Sequence, residues 1–493
     1  MDPSPPTTPT PAAEEPLPKR AARRLYVGLA AIGGVALLLI LGMLFAPEHA
    51  RLLPVICYRI EPRSIGAGVV LALTFLGFPF AVRLVLSDAA AWRKLVAAVA
   101  LGFGLQWSFA LAEQKGTRPL LERLWETGHA EFLRLSMTPL PPDYVRRYDD
   151  YGIRQKWLYA RTKPPGALVV YRAVAVVAKG PVGGSAERLF YGEAPRDFLT
   201  HARMRLSGVL FVLFPLLTFL ALVPLVYLAR PLAGERGAWL AVLLYPVTPS
   251  ALLVTMHLDG AIYPLFGCAA LALALAARRR AWLAAAGGAV LSRGVLITVG
   301  RRALVPLAGA LAVLGPGEGA ERPARARLLR ALGQGALFAA GFLAVHLFFM
   351  VALGYRPFAR YADARLVHHV WKTTISLQPW LTLNPIQFVL WVGIPVMGAF
   401  LADTVLGLTR GGWRTVRGLF GPLLVVVILV TNQLGEAKSE VMRLWLFFVP
   451  LVCVAAAARL VAWEEHARRW LVPVTLALQL LYVFALKSNF DCH

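Results

Sequence analysis

Long apolar runs separated by short polar breaks dominate this chain. The first, Leu25 to Phe45, is 21 residues without a charge, enough helix to cross a hydrocarbon core of about 30 Å. Comparable runs follow near 65–86, 95–112, 206–229, 237–257, 260–277, 281–299, 302–315, 331–353, 385–408, 419–432, 442–459 and 470–486. The pattern predicts an all-α integral membrane protein of about 13 transmembrane helices. The runs at 302–315 and 419–432 fall below the usual spanning length.

One long interruption, 113–205, separates the third run from the fourth. Inside it lies an apolar stretch, Gly166 to Ala178, broken by Arg172 and too short to span comfortably. A crossing there would move every later basic connection to the other side. The stretch is therefore expected to lie on the membrane surface or dip into it, flanked by amphipathic helices at 117–137 and 185–205. The expected organisation is a Pro-rich disordered tail over 1–24, with seven prolines in its first eighteen residues, and a polytopic membrane domain over 25–493. Residues 113–205 form a large loop inserted into that domain. The Leu25–Phe45 run is read as a retained anchor, because no cleavage site follows it.

Composition agrees. Of 493 residues, 58% are hydrophobic and 16% charged, whereas a soluble chain carries roughly 25% charged residues. Net charge is the unusual quantity. Lys and Arg number 51 against 27 acids, giving +24, which in a soluble protein would suggest nucleic acid. Here part of it is topological. Lys19, Arg20, Arg23 and Arg24 precede the first run and place the N-terminus in the cytoplasm, and each short inner connection is basic. However, 16 of the 51 basic residues lie between Glu113 and Arg205, on the expected outer face. The positive-inside rule gives no reason for that excess. A phosphorylated, membrane-bound partner does.

Four cysteines (Cys57, Cys268, Cys453 and Cys492) form no CxxC pair and no dense framework. Cys57 and Cys492 share the expected outer side, where they can pair or stay free; free thiols are the favoured reading. Arg outnumbers Lys 42 to 9, which points to a GC-rich bacterial genome, and so to a plasma (inner) membrane with a periplasmic active face.

Four clusters could carry chemistry. In the first, His129 and Glu131 stand near Arg134, where a carboxylate at the membrane surface could act as a general base; a solvated helix with a Glu131–Arg134 pair is the plainer alternative. The second holds Asp143, Tyr144, Arg146, Arg147, Tyr148, Asp149, Asp150 and Tyr151. Aromatics stack on sugar faces and arginines clamp phosphate, although a polar loop would look similar. The third, Arg161-Thr162-Lys163-Pro164-Pro165-Gly166, opens the surface helix, so free N–H groups beside Arg161 and Lys163 could face an anion. The fourth runs from Gly435-Glu436 to Glu440 and Arg443 at the start of a span, where ionisable groups usually face a partner or cavity; snorkelling to the interface is the alternative. Asp259 in a short outer turn and Arg293 near the outer end of its span are further substrate-binding candidates. Adjacent His368 and His369 lack an acidic partner and are assigned no metal role. The sequence names no cofactor and no metal ligands, and leaves a divalent cation open.

No P-loop, GxSxG or HExxH is present, so the energy for any reaction must arrive in the substrate. The order of motifs resembles the GT-C superfamily of membrane glycosyltransferases, in particular glycosyltransferase family 39-like proteins and protein O-mannosyltransferases. The resemblance rests on the acid-bearing loop, Thr162-Lys163-Pro164-Pro165-Gly166, and Leu228-Ala229-Arg230-Pro231-Leu232-Ala233-Gly234. Tyr245-Pro246-Val247-Thr248-Pro249, His257-Leu258-Asp259, and Gly435-Glu436 through Arg443-Leu444-Trp445-Leu446-Phe447 complete it, over about residues 95–460.

The resemblance implies transfer of a sugar from a polyprenyl-phosphate carrier to a glycan, lipid or protein acceptor at the outer face, among membrane lipids and without nucleic acid. A loop carboxylate would deprotonate the acceptor, attack would invert the anomeric carbon, and basic groups would stabilise the departing phosphate. Two departures stand out. The first outer loop offers only Glu48 and Glu61 where relatives carry an Asp, so Glu131 takes the base role by position. Lys163 also stands where many relatives have His, favouring simple phosphate attraction. A lipid or polyprenyl-linked-substrate transporter or flippase, and a non-catalytic subunit of a cell-envelope complex, are the alternatives. A transporter would usually show inverted repeats, and none is seen.

Overall fold

The computed structural model describes residues 19–45, 59–60, 65–111, 121, 124–125, 128, 130–148, 163–191, 200–253, 258–277, 279–297, 324–372, 376–409, 415–435, 437, 441–466 and 470–491. Helices make up almost all of these. The chain opens with α1 (Lys19–Phe45), β1 (Arg59–Ile60), α2 (Ile65–Leu86) and α3 (Ala91–Leu111). The long interruption contributes α4 (Ala130–Met137), α5 (Gly166–Lys179) and α6 (Pro181–Tyr191). Next come α7 (His201–Leu220), α8 (Leu222–Leu244), a tight turn over Tyr245–Val247, α9 (Pro249–Leu253), α10 (Leu258–Ala276) and α11 (Trp282–Ile297). Beyond residue 323 lie α12 (Ala324–Leu353), α13 (Pro357–Lys372), α14 (Gln378–Val392), α15 (Ile394–Thr409), α16 (Val416–Gln433) and α17 (Val441–Leu444). A tight turn at Leu446–Phe448 leads to α18 (Val449–His466), α19 (Leu471–Asn489) and β2 (Phe490–Asp491). β1 and β2 pair antiparallel, with Arg59 opposite Asp491, and so join the first loop to the C-terminal end.

Every expected span except 302–315, which lies outside the described residues, falls on one or two of these helices. By length and apolarity, three runs among the described residues can cross a membrane: His201–Val247, Leu332–Leu353 and Leu446–Glu465. Two bent pairs bring the number to five. Several other expected spans are represented by shorter apolar helices, such as Gly260–Ala276 and Leu471–Lys487. The expected connection at 230–236 appears as a break inside α8, where Gly234 adopts φ 74°, a conformation that costs glycine no steric strain.

The segment expected as one span over 385–408 is instead two helices, α14 and α15, bent by 112°. Gly393 (φ 98°) makes the break, and Pro395 cannot donate a helical hydrogen bond. Broken backbone deep in a membrane protein needs internal partners. Two side chains supply them: Ser250 Oγ donates to the Trp391 carbonyl (2.9 Å) and Gln479 Nε2 to the Val392 carbonyl (2.8 Å).

The centre of the molecule is α18, whose apolar length is buried throughout. It packs against α8, α15, α16 and α19. Its run of small residues, Ala455 to Ala458, lets neighbours approach closely. The same device joins α11 to α12. A side chain at Gly288 would collide with the Phe338 carbonyl, and one at Gly341 with the Ala285 carbonyl. Gly341→Leu is therefore expected to force these helices apart and destabilise the fold by roughly 1–3 kcal/mol, read as a lower unfolding midpoint in detergent. An unchanged midpoint would mean that the two helices do not cross there.

Candidate functional site

The helix α4 presents two different faces. Ala130, Phe132, Leu133, Leu135 and Ser136 are buried, Glu131 is half-buried and Arg134 exposed. Phe132 stacks on Tyr171 of α5 with ring centres 6.0 Å apart, and Tyr171 meets Phe214 of α7 edge-on. This aromatic ladder fixes the acid-bearing helix against α5 and α7. At its end, the Ser136 hydroxyl donates to the Leu133 carbonyl (2.7 Å) and that of Thr138 to the Leu135 carbonyl (2.9 Å).

The following segment, 138–148, docks through two guanidinium groups. Arg172 of α5 donates to the Thr138 carbonyl (3.2 Å) and lies over the Tyr144 ring at 5.1 Å. Burial raises the Tyr144 phenol above its usual range, and the Arg172 charge offsets part of that rise. Arg360 of α13, only 4% exposed, lies 4.5 Å over the buried Tyr148 ring. Burial lowers its pKa, with Tyr148 opposing. Asp143 and Arg147 form an exposed pair at 3.9 Å, which contributes little by itself. Pro164 and Pro165 are buried beside half-buried Lys163 where the chain enters α5.

The structure thus places α4, from the first sequence cluster, and residues 138–148, from the second, on α5, the helix that the third cluster opens. Of the fourth, Arg443 sits elsewhere, on α17. Half-buried Arg443 belongs to this short helix, which packs against α10, the helix that begins at Leu258-Asp259. Exposed Arg293 lies on α11, and α11 packs against both α5 and α10, linking the two groups. His129, Asp149, Asp150, Arg161, Glu436 and Glu440 lie outside the described residues, as do Cys57 and Cys492.

Sequence reasoning missed three constellations. The chain near α17 is held by buried amides: Asn384 Nδ2 donates to Asn432 Oδ1 (2.9 Å) and to the Ala437 carbonyl, and Asn432 Nδ2 donates to the Leu381 carbonyl (2.7 Å). The second is the Arg360–Tyr148 contact. The third is Glu187 on α6, 6% exposed, which accepts from Arg205 Nε (2.9 Å) and meets His201 Nδ1 (2.5 Å) at the start of α7. An acid this buried is a signal only structure can supply, because its partners lie 14 and 18 residues away.

Burial alone would raise the Glu187 pKa, but the hydrogen bonds and charges of Arg205 and His201 outweigh it and hold the carboxyl below its usual range. A depressed native pKa stabilises the fold above the unfolded carboxylate pKa of about 4.3, and that contribution disappears as pH falls through the lower native value. Glu187→Gln is expected to cost on the order of 1–2 kcal/mol at pH 7, with variant and native stabilities converging under acid. A difference between them that persists below the native Glu187 pKa would show that the ion pairs are not the cause.

Among the described residues, no group of three or more His, Cys, Asp or Glu side chains is placed to hold a metal. The chemistry present is acid and base: a half-buried carboxylate at Glu131, ammonium and guanidinium groups at Lys163, Arg172 and Arg293, and aromatic faces.

No protein-family model matches the chain, and no curated protein matches it. Two crystal structures of the Archaeoglobus fulgidus oligosaccharyltransferase are similar in part. One is a complex with zinc and sulfate (14% identity, TM-score 0.37), the other is tethered through a disulfide to an acceptor peptide containing an NVT sequon (15%, 0.36). Each is matched over 67% of this chain, which covers 45% and 47% of theirs, so the chain spans less than half the length of those proteins. Likeness at this level assigns neither family nor activity.

Proposed function

We propose that this helical membrane protein is a GT-C-type glycosyltransferase. It moves a sugar from a polyprenyl-phosphate carrier to a glycan, lipid or protein acceptor at the outer face of a plasma membrane, with the N-terminus in the cytoplasm and about 13 spans. Residues 113–205 form the catalytic insertion. Glu131 acts as base on the acceptor hydroxyl, and His129, Asp149 and Asp150 are the further catalytic groups of the same insertion. Lys163, Arg161, Arg293 and Arg443 attract and stabilise the lipid phosphate. Asp143, Tyr148, Asp259, Glu436 and Glu440 bind the sugar.

The reading is supported above all by the packing of α4, which bears Glu131, on α5, whose entrance carries Lys163-Pro164-Pro165. A carboxylate and a phosphate-attracting base then share one rigid platform. To test the assignment, purified protein is incubated with short-chain polyprenyl-phosphate sugars and free polyprenyl phosphate is quantified. Release that depends on enzyme and donor is the expected result; no release with any donor overturns the assignment.

A further inference from the structure

The helix α13 is built inside out. At about 100° per residue, Phe358, Ala359, Ala362 and Leu366 share one face, while Arg360 and Val367 lie on the opposite one. The structure exposes the first group: Phe358 is 83% and Leu366 57% exposed, and both alanines are exposed as well. It buries the second, with Arg360 held over Tyr148 and Val367 also enclosed. A helix docked on a water-soluble protein would do the reverse, because exposed apolar area is unfavourable in water.

Continuity identifies what covers this face. The preceding helix α12 contains one of the three runs able to cross a membrane, Leu332–Leu353, and is exposed along almost all of that length. Its exposed Leu343, Leu347, Phe348 and Val351 lead to the turn at Gly354, where φ is 62°. Three residues later α13 begins, and Phe358 in its first turn is exposed as well. Arg365 borders the face, exposed, with its guanidinium carbon 5.9 Å from the Tyr361 ring. An arginine there can reach phospholipid headgroups while its neighbours enter the acyl boundary.

We propose that α13 is an interfacial helix lying in the headgroup–acyl boundary of the bilayer, where α12 leaves the membrane. The phospholipid surface covers Phe358 and Leu366. The inward Arg360 then ties the membrane-seated helix to the Tyr148 ring of the candidate site. The membrane placement does not depend on the glycosyltransferase assignment.

The test uses full-length protein reconstituted into phosphatidylcholine–phosphatidylglycerol vesicles. Separate variants Phe358→p-benzoylphenylalanine and Leu366→p-benzoylphenylalanine are irradiated and their adducts identified by mass. Arg147→p-benzoylphenylalanine, on the exposed polar segment, serves as the reference. Lipid adducts at 358 and 366 several-fold above the reference are expected. Cross-linked dimers would instead make this face an interface between copies, and lipid yields no higher than at 147 would place α13 in water; either result overturns the proposal. Having two positions guards against one variant misfolding, and none of the readouts requires activity.

Discussion

Replacing Glu131 by Gln is expected to lower the rate of sugar transfer by about 10²–10⁴-fold, the usual contribution of a positioned general base. Gln preserves the volume and the backbone geometry of α4. The buried face of that helix, anchored by Phe132 on Tyr171, is left untouched, so the loss should appear in kcat without a change in unfolding midpoint. Lys163→Ala removes the charge proposed to attract the lipid phosphate and should act mainly through KM for the donor. The two variants separate proton transfer from donor capture. Asp149→Asn and Asp150→Asn complete the set, being the other two acids of the insertion proposed for the catalytic group. If Glu131→Gln keeps native turnover and one of these loses it, the base is that aspartate. If all three keep it, none of the proposed acids is the base and the mechanism proposed for them fails.

How far the sequence foretold this structure depends on the range of the interaction concerned. Helix positions follow from local apolarity and were legible: Ile65–Leu86 coincides with an expected span, and the apolar stretch 166–178 is α5 within a residue. Lys163-Pro164-Pro165 marks where that helix starts, because prolines favour a helix's first turn. The break at Gly393 was not legible. Glycines are frequent within membrane helices, and only Ser250 and Gln479, distant in sequence, make an interruption tolerable here. Arg360 is one base in the stretch between the apolar runs at 331–353 and 385–408, and its burial against Tyr148 depends on a contact across more than 200 residues of chain. The docking of α4 and residues 138–148 on α5 was equally hidden, since it arises through tertiary packing.

Asp403→Ala is expected to destabilise the protein by about 3–5 kcal/mol, the cost of leaving a buried charge without its partner. Asp403 on α15 accepts from Arg459 on α18 through Nη2 (2.9 Å) and Nε (3.1 Å), and both side chains are less than a tenth exposed. The Trp463 ring, 6.0 Å from the same guanidinium, is a weak substitute. The pair itself need not add net stability, because bringing both charges out of water is costly. Changing Asp403 and Arg459 together to Leu should therefore recover most of the midpoint lost by Asp403→Ala in detergent. A double variant as unstable as the single would show that packing, and not the orphaned charge, dominates. The consequence reaches the candidate site, because Arg443, the turn at Leu446–Phe448 and α18 follow one another without interruption. An orphaned Arg459 that loosens α18 from α15 would shift the base of α17 and move Arg443 relative to α10. Donor binding should weaken in Asp403→Ala at temperatures where the protein is still folded, and return in the double variant.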